Sequence, residues 1–356
     1  MLFTSGRAFL PQNSGGVQSS TMQLCAALVA RGHDVAVLCR LSGGGWTALD
    51  SRIKRRVFRT RFSRDTRLGL PVFRAWDPTD TREVVSRFRP DVAVVQSGDT
   101  VPIARSLDQL GVPVVLYYRH VAFEDMGGNP AELSGAQHVA NSRFTAARVQ
   151  DRFGVTATVI PPLVLAQNYR TTSTRQNVTF INPYPVKGRD LAFDIAQACP
   201  DIPFVFCESW DLNLEMRSWI NNRLKDLHNV TLKARTSDMK SIYGKARILL
   251  APSLWEEAWG RVATEAQFSG IPVIGSRQGG LPEAIGPGGV TLDATAPLAD
   301  WVAAVRRLWE DADYYQTLSE AALSHSRRSE IDPEHQTDRL MDVLAKACAT
   351  GPAVQI

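Results

Sequence analysis

Cysteine is scarce in this chain, and the few residues present do not pair. Cys25, Cys39, Cys199, Cys207 and Cys348 are scattered without a C-x-x-C spacing. Neither a zinc site nor a disulfide framework is expected, and a reducing cytosol is the default setting. Long apolar runs are missing too. No segment reaches the roughly 18 apolar residues of a membrane-spanning helix. The N-terminal MLFTSGRAFLPQNSGG lacks the basic stretch and apolar stretch of a signal peptide, so none is expected. A net charge of +4 on 356 residues is too small to imply nucleic-acid binding. No internal repeat or low-complexity tract stands out. The glycine pair near the N-terminus reads G-G-V-Q-S-S rather than G-x-G-x-x-G, which disfavours a dinucleotide oxidoreductase.

What does recur is a short apolar, β-branched run followed by a helical pattern. The first half holds LFTS (2–5), DVAVLCR (34–40), RVFRTRF (56–62), DVAVVQS (91–97), VPVVLYYR (112–119), HVAN (138–141) and TATVIP (156–161). The second holds NVTFIN (177–182), IPFVFCES (202–209), NVTLKA (229–234), RILLAPS (247–253), IPVIGS (271–276) and GVTL (289–292). Most runs are continuous rather than alternating, as in parallel strands covered on both faces. Strand–helix alternation specifies parallel α/β sheets. The length suits two domains. The polar, proline-led PPLVLAQNYRTTSTRQN (161–177) breaks the rhythm and reads as their connection. We therefore expect an N-terminal domain over 1–165 and a C-terminal domain over 166–331. A last helix, about 332–350, follows the second sheet and is expected to cross back onto the first domain.

Open α/β sheets bind ligands beyond the C-terminal ends of their strands. There the stretch SLWEEAWGRVATEAQFSGIPVIGS (253–276) stands out. Glu257 falls in a loop after a strand. Glu265 falls in the second turn of a helix running from about Arg261 to Ser269. Helical side chains lean toward the N-terminus, so both carboxylates are expected to project into one space. The N–H groups of Gly260, Arg261 and Val262 make the helix start an anion site, and Gly260, without Cβ, admits a phosphate closely. Amides for phosphate beside carboxylates for hydroxyls suit a diphosphate carrying sugars at both ends. Taken alone, the same glutamates would also suit an ordinary surface helix start.

The nonapeptide Glu257-Ala-Trp-Gly-Arg-Val-Ala-Thr-Glu265 resembles the E-x7-E motif of the retaining glycosyltransferases of family 4. The following SGIPVIGSRQGGLPEAI resembles that family's continuation. GGVQSSTMQLCAALVARGHDVAVL (15–38) is similar to its glycine loop, first helix and second strand. YPVKGRDLAFDIA (184–196), PVVLYYRH (113–120) and HVANSRFTAARV (138–149) resemble further family segments, in order along nearly the whole chain. The resemblance implies the GT-B fold, two doubly wound Rossmann-like domains of parallel sheet facing a central cleft. The first is on the acceptor side and the second on the donor side. It implies hexosyl transfer with retention from a nucleotide-diphosphate sugar, UDP- or GDP-linked, with no cofactor and no metal. No D-x-D occupies a strand-end loop, since Asp311–Asp313 falls in a helical pattern. The acceptor would be a hydroxyl on a sugar, a lipid-linked sugar or a small molecule.

By the same resemblance Gly15, Gly16, Lys187, Gly260, Arg261 and Val262 would bind the donor diphosphate. Glu265 would bind the ribose. Glu257 would hold the donor sugar beside the reacting carbon, and His120 would orient the sugar or its acceptor. Two departures are visible. Ala258-Trp259 replaces the usual Gly-Phe, and Asn182 stands where the family commonly has an arginine. Arg189 or Arg261 is then a candidate to substitute. A nucleotide-sugar epimerase or sugar phosphorylase on the same fold, or a nucleotide-sugar-binding subunit without turnover, remains open at this stage.

The segment RIKRRVFRTRFSRDTR (52–67) is densely basic. It reads as solvated surface or as a contact for an anionic acceptor or an anionic membrane. The expected location is accordingly cytoplasmic, with peripheral contact at the inner face of the membrane. Nucleic acid is not expected, because stacking aromatics do not recur beside it. Trp210, Trp219, Trp301 and Trp309 read as core or surface aromatics.

Overall fold

A computed structural model describes residues 1–350. Contacts divide the chain into two compact units. One is Met1–Leu163 together with the C-terminal helix Pro333–Thr350, and the other is Val164–Asp332.

The first unit is built on a sheet of β1 (Leu2–Ser5), β2 (Ala36–Arg40), β3 (Phe62–Asp65), β4 (Val72–Ala75), β5 (Ala93–Val95), β6 (Val114–Tyr118), β7 (Gln137–Ala140) and β8 (Thr158–Val159). Their spatial order is β3-β4-β2-β1-β5-β6-β7-β8. All pairings are parallel except β3 with β4. β1, β5 and β6 are buried along their whole length, which is why their sequences are unbroken apolar runs. The helix Pro333–Thr350 is tied to this unit. Arg31 donates to Asp338 at 2.6 Å, and the Gln336 amide donates to Pro161 O at 2.9 Å.

One expected strand is corrected. Residues 56–58 close the helix Gly45–Phe58 instead of opening a strand, and β3 begins only at Phe62. The helix stops where Arg59 takes a left-handed φ of 52° and its N–H caps Arg55 O. β3 and β4 form an antiparallel hairpin that the sequence pattern did not disclose. Its inner edge buries Arg74 completely, against Asp65 at 2.8 Å and Leu10 O at 2.6 Å.

The second unit is built on β9 (Asn177–Ile181), β10 (Phe204–Cys207), β11 (Val230–Lys233), β12 (Ala246–Ala251), β13 (Val273–Ser276) and β14 (Gly289–Leu292). Their order is β11-β10-β9-β12-β13-β14, parallel throughout. Both faces are covered. One buries Phe180, Phe193, Phe204, Phe206 and Trp301, with Phe180 and Phe206 edge to face at 5.3 Å. The other buries Tyr243, Leu249, Ile271 and Ile285. A fully buried phenylalanine is worth about 2 kcal/mol, so this aromatic face holds the sheet firmly under the loops that carry the site. The α/β class read from strand–helix alternation therefore stands, as two Rossmann-like units. No helix among the described residues is long and apolar enough to cross a membrane.

Candidate functional site

In the second unit β9 lies between β10 and β12. The chain leaves β9 toward one side of the sheet and builds the other side from β12. Loops after two such strands diverge, and the crevice between them is where open sheets take ligands. The loop after β9 carries Asn182 and Lys187. The loop after β12 carries Ser253, Glu257 and Gly260.

Contact between the loops is enforced by a glycine. Gly188 has a φ of +79°, and a Cβ there would stand 1.9 Å from Pro252 O. Val186 O accepts from the N–H groups of Leu254 and Trp255, both at 3.0 Å. Lys187 Nζ is thereby brought to Glu257 Oε1 at 2.5 Å, and Ser253 Oγ donates to the same oxygen at 3.0 Å. The lysine and glutamate side chains are 17% and 18% exposed, so the pair is largely desolvated but reachable. Glu257 Oε2 has no hydrogen bond among the described residues. The backbone of Glu257 is fixed from the other side. Gly280 N–H donates to Glu257 O at 2.5 Å, and a Cβ on Gly279, at φ +62°, would meet that oxygen at 2.2 Å.

The helix after this loop runs Arg261–Gln267. Gly260 caps it at φ +99°, with Leu281 filling the space where a side chain would project. Val262 packs on the apolar cluster beneath. Glu265 is 7% exposed. Its Oε2 accepts from Tyr243 OH at 3.0 Å, and its Oε1 lies 3.3 Å from Arg261 Nη2, which also donates to Tyr169 OH at 2.9 Å. Burial raises the Tyr243 phenol far above its ordinary pKa, and the Glu265 carboxylate adds to the shift, so the phenol remains a donor. Glu257 and Glu265 therefore have separate partners within the unit. Trp259 is buried, its indole N–H donating to Thr264 Oγ1 at 3.0 Å.

Asn182 occupies a left-handed φ of 67°, a conformation asparagine tolerates better than most residues. Its Oδ1 accepts the Trp210 N–H at 3.1 Å, and its own N–H donates to Cys207 O at 2.7 Å. The residue thus shapes the turn after β9. The Arg189 guanidinium lies 3.6 Å over the Trp219 ring and donates to Asp190 at 2.7 Å. The structure brings Lys187 and Glu257 together, and Arg189, Arg261 and Glu265 do not join that pair. Sequence reasoning missed Ser253, Tyr184 and Trp210. The Trp210 indole, 38% exposed, meets Tyr184 edge to face at 5.1 Å and lies 5.0 Å from Lys187 Nζ. A tryptophan after a strand gives no pattern that separates it from an ordinary surface aromatic.

In the first unit the corresponding switch is at β1, between β2 and β5. Gly15 caps the helix Gly16–Ala30 in an extended conformation open to any residue. Ser97, Gly98 and Asp99 follow β5 with left-handed φ values of 58°, 69° and 46°. His120 follows β6. Neither ring nitrogen has a hydrogen-bond partner among the described residues, and Nε2 lies 3.8 Å from Asp125 Oδ2. Arg7 Nη2 donates to that carboxylate oxygen at 2.5 Å. Burial lowers the His120 pKa, Asp125 opposing the shift and Arg7 adding to it, so the imidazole is neutral at neutral pH. The ring lines a small pocket with Ser97, Thr100 and Asp125. Ser97 Oγ, Thr100 Oγ1 and Asp125 Oδ1 are also buried without partners. Buried polar atoms are seldom orphaned, and four residues with such atoms line this one pocket. Hydroxyls after β5 and a carboxylate after β6 carry no sequence signal.

Both units resemble known proteins. The profile of the family described as "Glycosyl transferases group 1" matches residues 184–325, and that of "Glycosyltransferase Family 4" matches residues 14–165. The D-inositol 3-phosphate glycosyltransferase of Corynebacterium kroppenstedtii is 38% identical over 120 residues, 33% of this chain and 26% of that protein. The enzyme of the same name from Saccharomonospora viridis is 33% identical over 123 residues, 33% of this chain and 28% of that protein. The chain thus spans about a quarter of the length of these relatives. Among solved structures, a glycosyltransferase from Rickettsia africae superposes with a TM-score of 0.75 at 15% identity, covering 97% of this chain and 98% of the other. Anabaena HepE in complex with UDP and glucose superposes with a TM-score of 0.73 at 14% identity, covering 97% and 99%. One family profile falls in each unit, and the chain belongs to the family 4 glycosyltransferases, with the GT-B fold.

Proposed function

We propose that the chain transfers a hexose from a nucleotide-diphosphate sugar to a hydroxyl acceptor, retaining the anomeric configuration and using no metal. The observation that carries this reading is the Lys187–Glu257 pair at the β9/β12 switch, with Glu257 Oε2 uncommitted. Transfer builds positive charge on the sugar ring and negative charge on the departing diphosphate, and only contacts that strengthen there speed the reaction. An arriving diphosphate competes with Glu257 for Lys187 and takes its N–H donors. The lysine then supplies the charge stabilisation a metal would otherwise give. The displaced carboxylate turns to the hydroxyls of the donor sugar, at the reacting carbon.

Glu265, held by Tyr243 and Arg261, receives the ribose. The amides of Gly260, Arg261 and Val262 take the remaining phosphate oxygens. His120, neutral and without a partner, orients a sugar hydroxyl. UDP is the favoured nucleotide, since HepE was solved with UDP and glucose. The acceptor is a sugar, lipid-linked or small-molecule hydroxyl, a phosphorylated polyol among them, and the reaction is assigned to the cytoplasm.

Thermal unfolding with UDP, GDP, ADP and their sugar conjugates tests this. A ligand at 100 times its Kd adds about 2.7 kcal/mol, enough to shift the midpoint by several degrees. Glu257→Gln should abolish transfer while keeping nucleotide stabilisation. Nucleotide binding with neither transfer nor hydrolysis in the wild-type chain would identify a binding subunit instead.

A further inference from the structure

Four of the large apolar side chains left exposed in this chain stand on one helix, Gly45–Phe58. They are Trp46 (83% exposed), Leu49 (47%), Ile53 (55%) and Val57 (67%). At 100° per residue they fall within an arc of about 80°. The opposite face is buried and small, with Thr47, Ala48 and Ser51, and Ser63 Oγ donates to Ser51 Oγ at 2.7 Å. The helix is therefore fastened to the sheet by its small residues and turns its large apolar ones outward. That is the reverse of a water-facing helix.

Charge is concentrated in the same place. Residues 45–59 hold five cations, Arg52, Lys54, Arg55, Arg56 and Arg59, against the single acid Asp50, a net +4 equal to that of the whole chain. Asp50 is already engaged by Lys54 at 2.8 Å and Arg67 at 3.0 Å. Arg52 and Arg55 are gathered over the Trp76 ring at 5.5 and 5.9 Å. Arg56 and Arg59 are exposed beside the apolar stripe.

We infer that this helix docks on a lipid bilayer containing anionic lipids. Trp46, Leu49, Ile53 and Val57 enter the boundary between headgroups and acyl chains, and the flanking arginines meet headgroup phosphates. The inference is independent of the transfer reaction. It also moves the contact N-terminal of the basic segment 52–67, because the apolar half of the surface begins at Trp46. A second copy of the chain fits less well, since a twofold contact sets the same patch against itself and opposes two groups of cations. Nucleic acid would engage the cations and leave the apolar stripe in water.

Co-sedimentation of the full chain with phosphatidylcholine vesicles, with and without phosphatidylglycerol, tests the proposal. Binding is expected to the mixed vesicles, weakly or not at all to neutral ones, and less at high salt. Arg56→Gln with Arg59→Gln should lower partitioning about fivefold per cation, about 25-fold for the pair. Trp46→Ser with Ile53→Ser should lower it at least about tenfold. All four positions are exposed, and an unchanged unfolding midpoint confirms that each variant folds. Three results would overturn the inference. They are equal sedimentation with neutral and anionic vesicles, sedimentation with neither, and a wild-type dimer in ultracentrifugation that the Trp46/Ile53 variant converts to monomer.

Discussion

Replacing Gly279 by alanine places a methyl carbon 2.2 Å from Glu257 O and 2.7 Å from Glu257 N. Ordinary carbon–oxygen contacts begin near about 3.3 Å, so the Glu257 backbone must retreat by about 1 Å. Gly280 N–H holds the same carbonyl at 2.5 Å, so the retreat also strains that bond. A misplacement of about 1 Å at a reacting group can cost about 100-fold in rate, or about 2.7 kcal/mol of transition-state stabilisation. The left-handed φ of +62° adds a stability loss of about 1–2 kcal/mol. Gly32→Ala separates the two effects. Gly32 has a φ of +85° with no atom within 4 Å of its missing Cβ, so it shares the backbone penalty without a collision. The assay is kcat/KM for nucleotide-sugar turnover, with urea unfolding in parallel. Gly279→Ala should lose about 100-fold in kcat/KM, and Gly32→Ala should lose stability alone. Wild-type turnover in Gly279→Ala, or an equal loss in Gly32→Ala, refutes the claim that this glycine seats Glu257.

Three further outcomes are expected. Asp65→Ala strands the fully buried Arg74 guanidinium and should cost about 3–5 kcal/mol in urea unfolding. Asp65→Leu combined with Arg74→Met should cost less than that single change. Burial lowers the His138 pKa from its ordinary 6.5 to about 4, and its Nδ1 lies 2.9 Å from Tyr118 OH. The folded state thus refuses a proton that the unfolded chain accepts. Stability should fall as pH drops from 6.5 toward 4, by up to about 3 kcal/mol, and His138→Gln should flatten that slope in urea titrations run across the range. Trp210→Ala removes the ring beside Lys187 and should raise the donor KM a few-fold with little change in kcat, as steady-state kinetics would show.

The fold class was legible because parallel strands are buried on both faces, which leaves unbroken apolar runs such as 91–97 and 247–253. The basic run 56–62 misled for a physical reason. Valine and phenylalanine among arginines look like a half-buried strand, whereas the structure spends Val57 on the outward face of a helix. The order of charged groups around the site was legible in part. Glu257, Gly260 and Glu265 are spaced by one local loop and helix, and Lys187 by another. Their partners were not. Tyr243 reaches Glu265 across 22 positions, and Tyr169 reaches Arg261 across 92. The second contact needs β9 and β12 to lie side by side. Asn182 shows the limit most clearly. Its value is a left-handed turn and an acceptor for Trp210, and neither can be read from the identity of one residue.

The most direct test is a crystal structure of the chain soaked with its preferred nucleotide sugar. The account predicts a diphosphate oxygen within about 3.2 Å of Lys187 Nζ, a sugar hydroxyl on Glu257, and a Lys187–Glu257 distance longer than the present 2.5 Å. A donor bound away from the β9 and β12 loops, with that pair still closed, would contradict it.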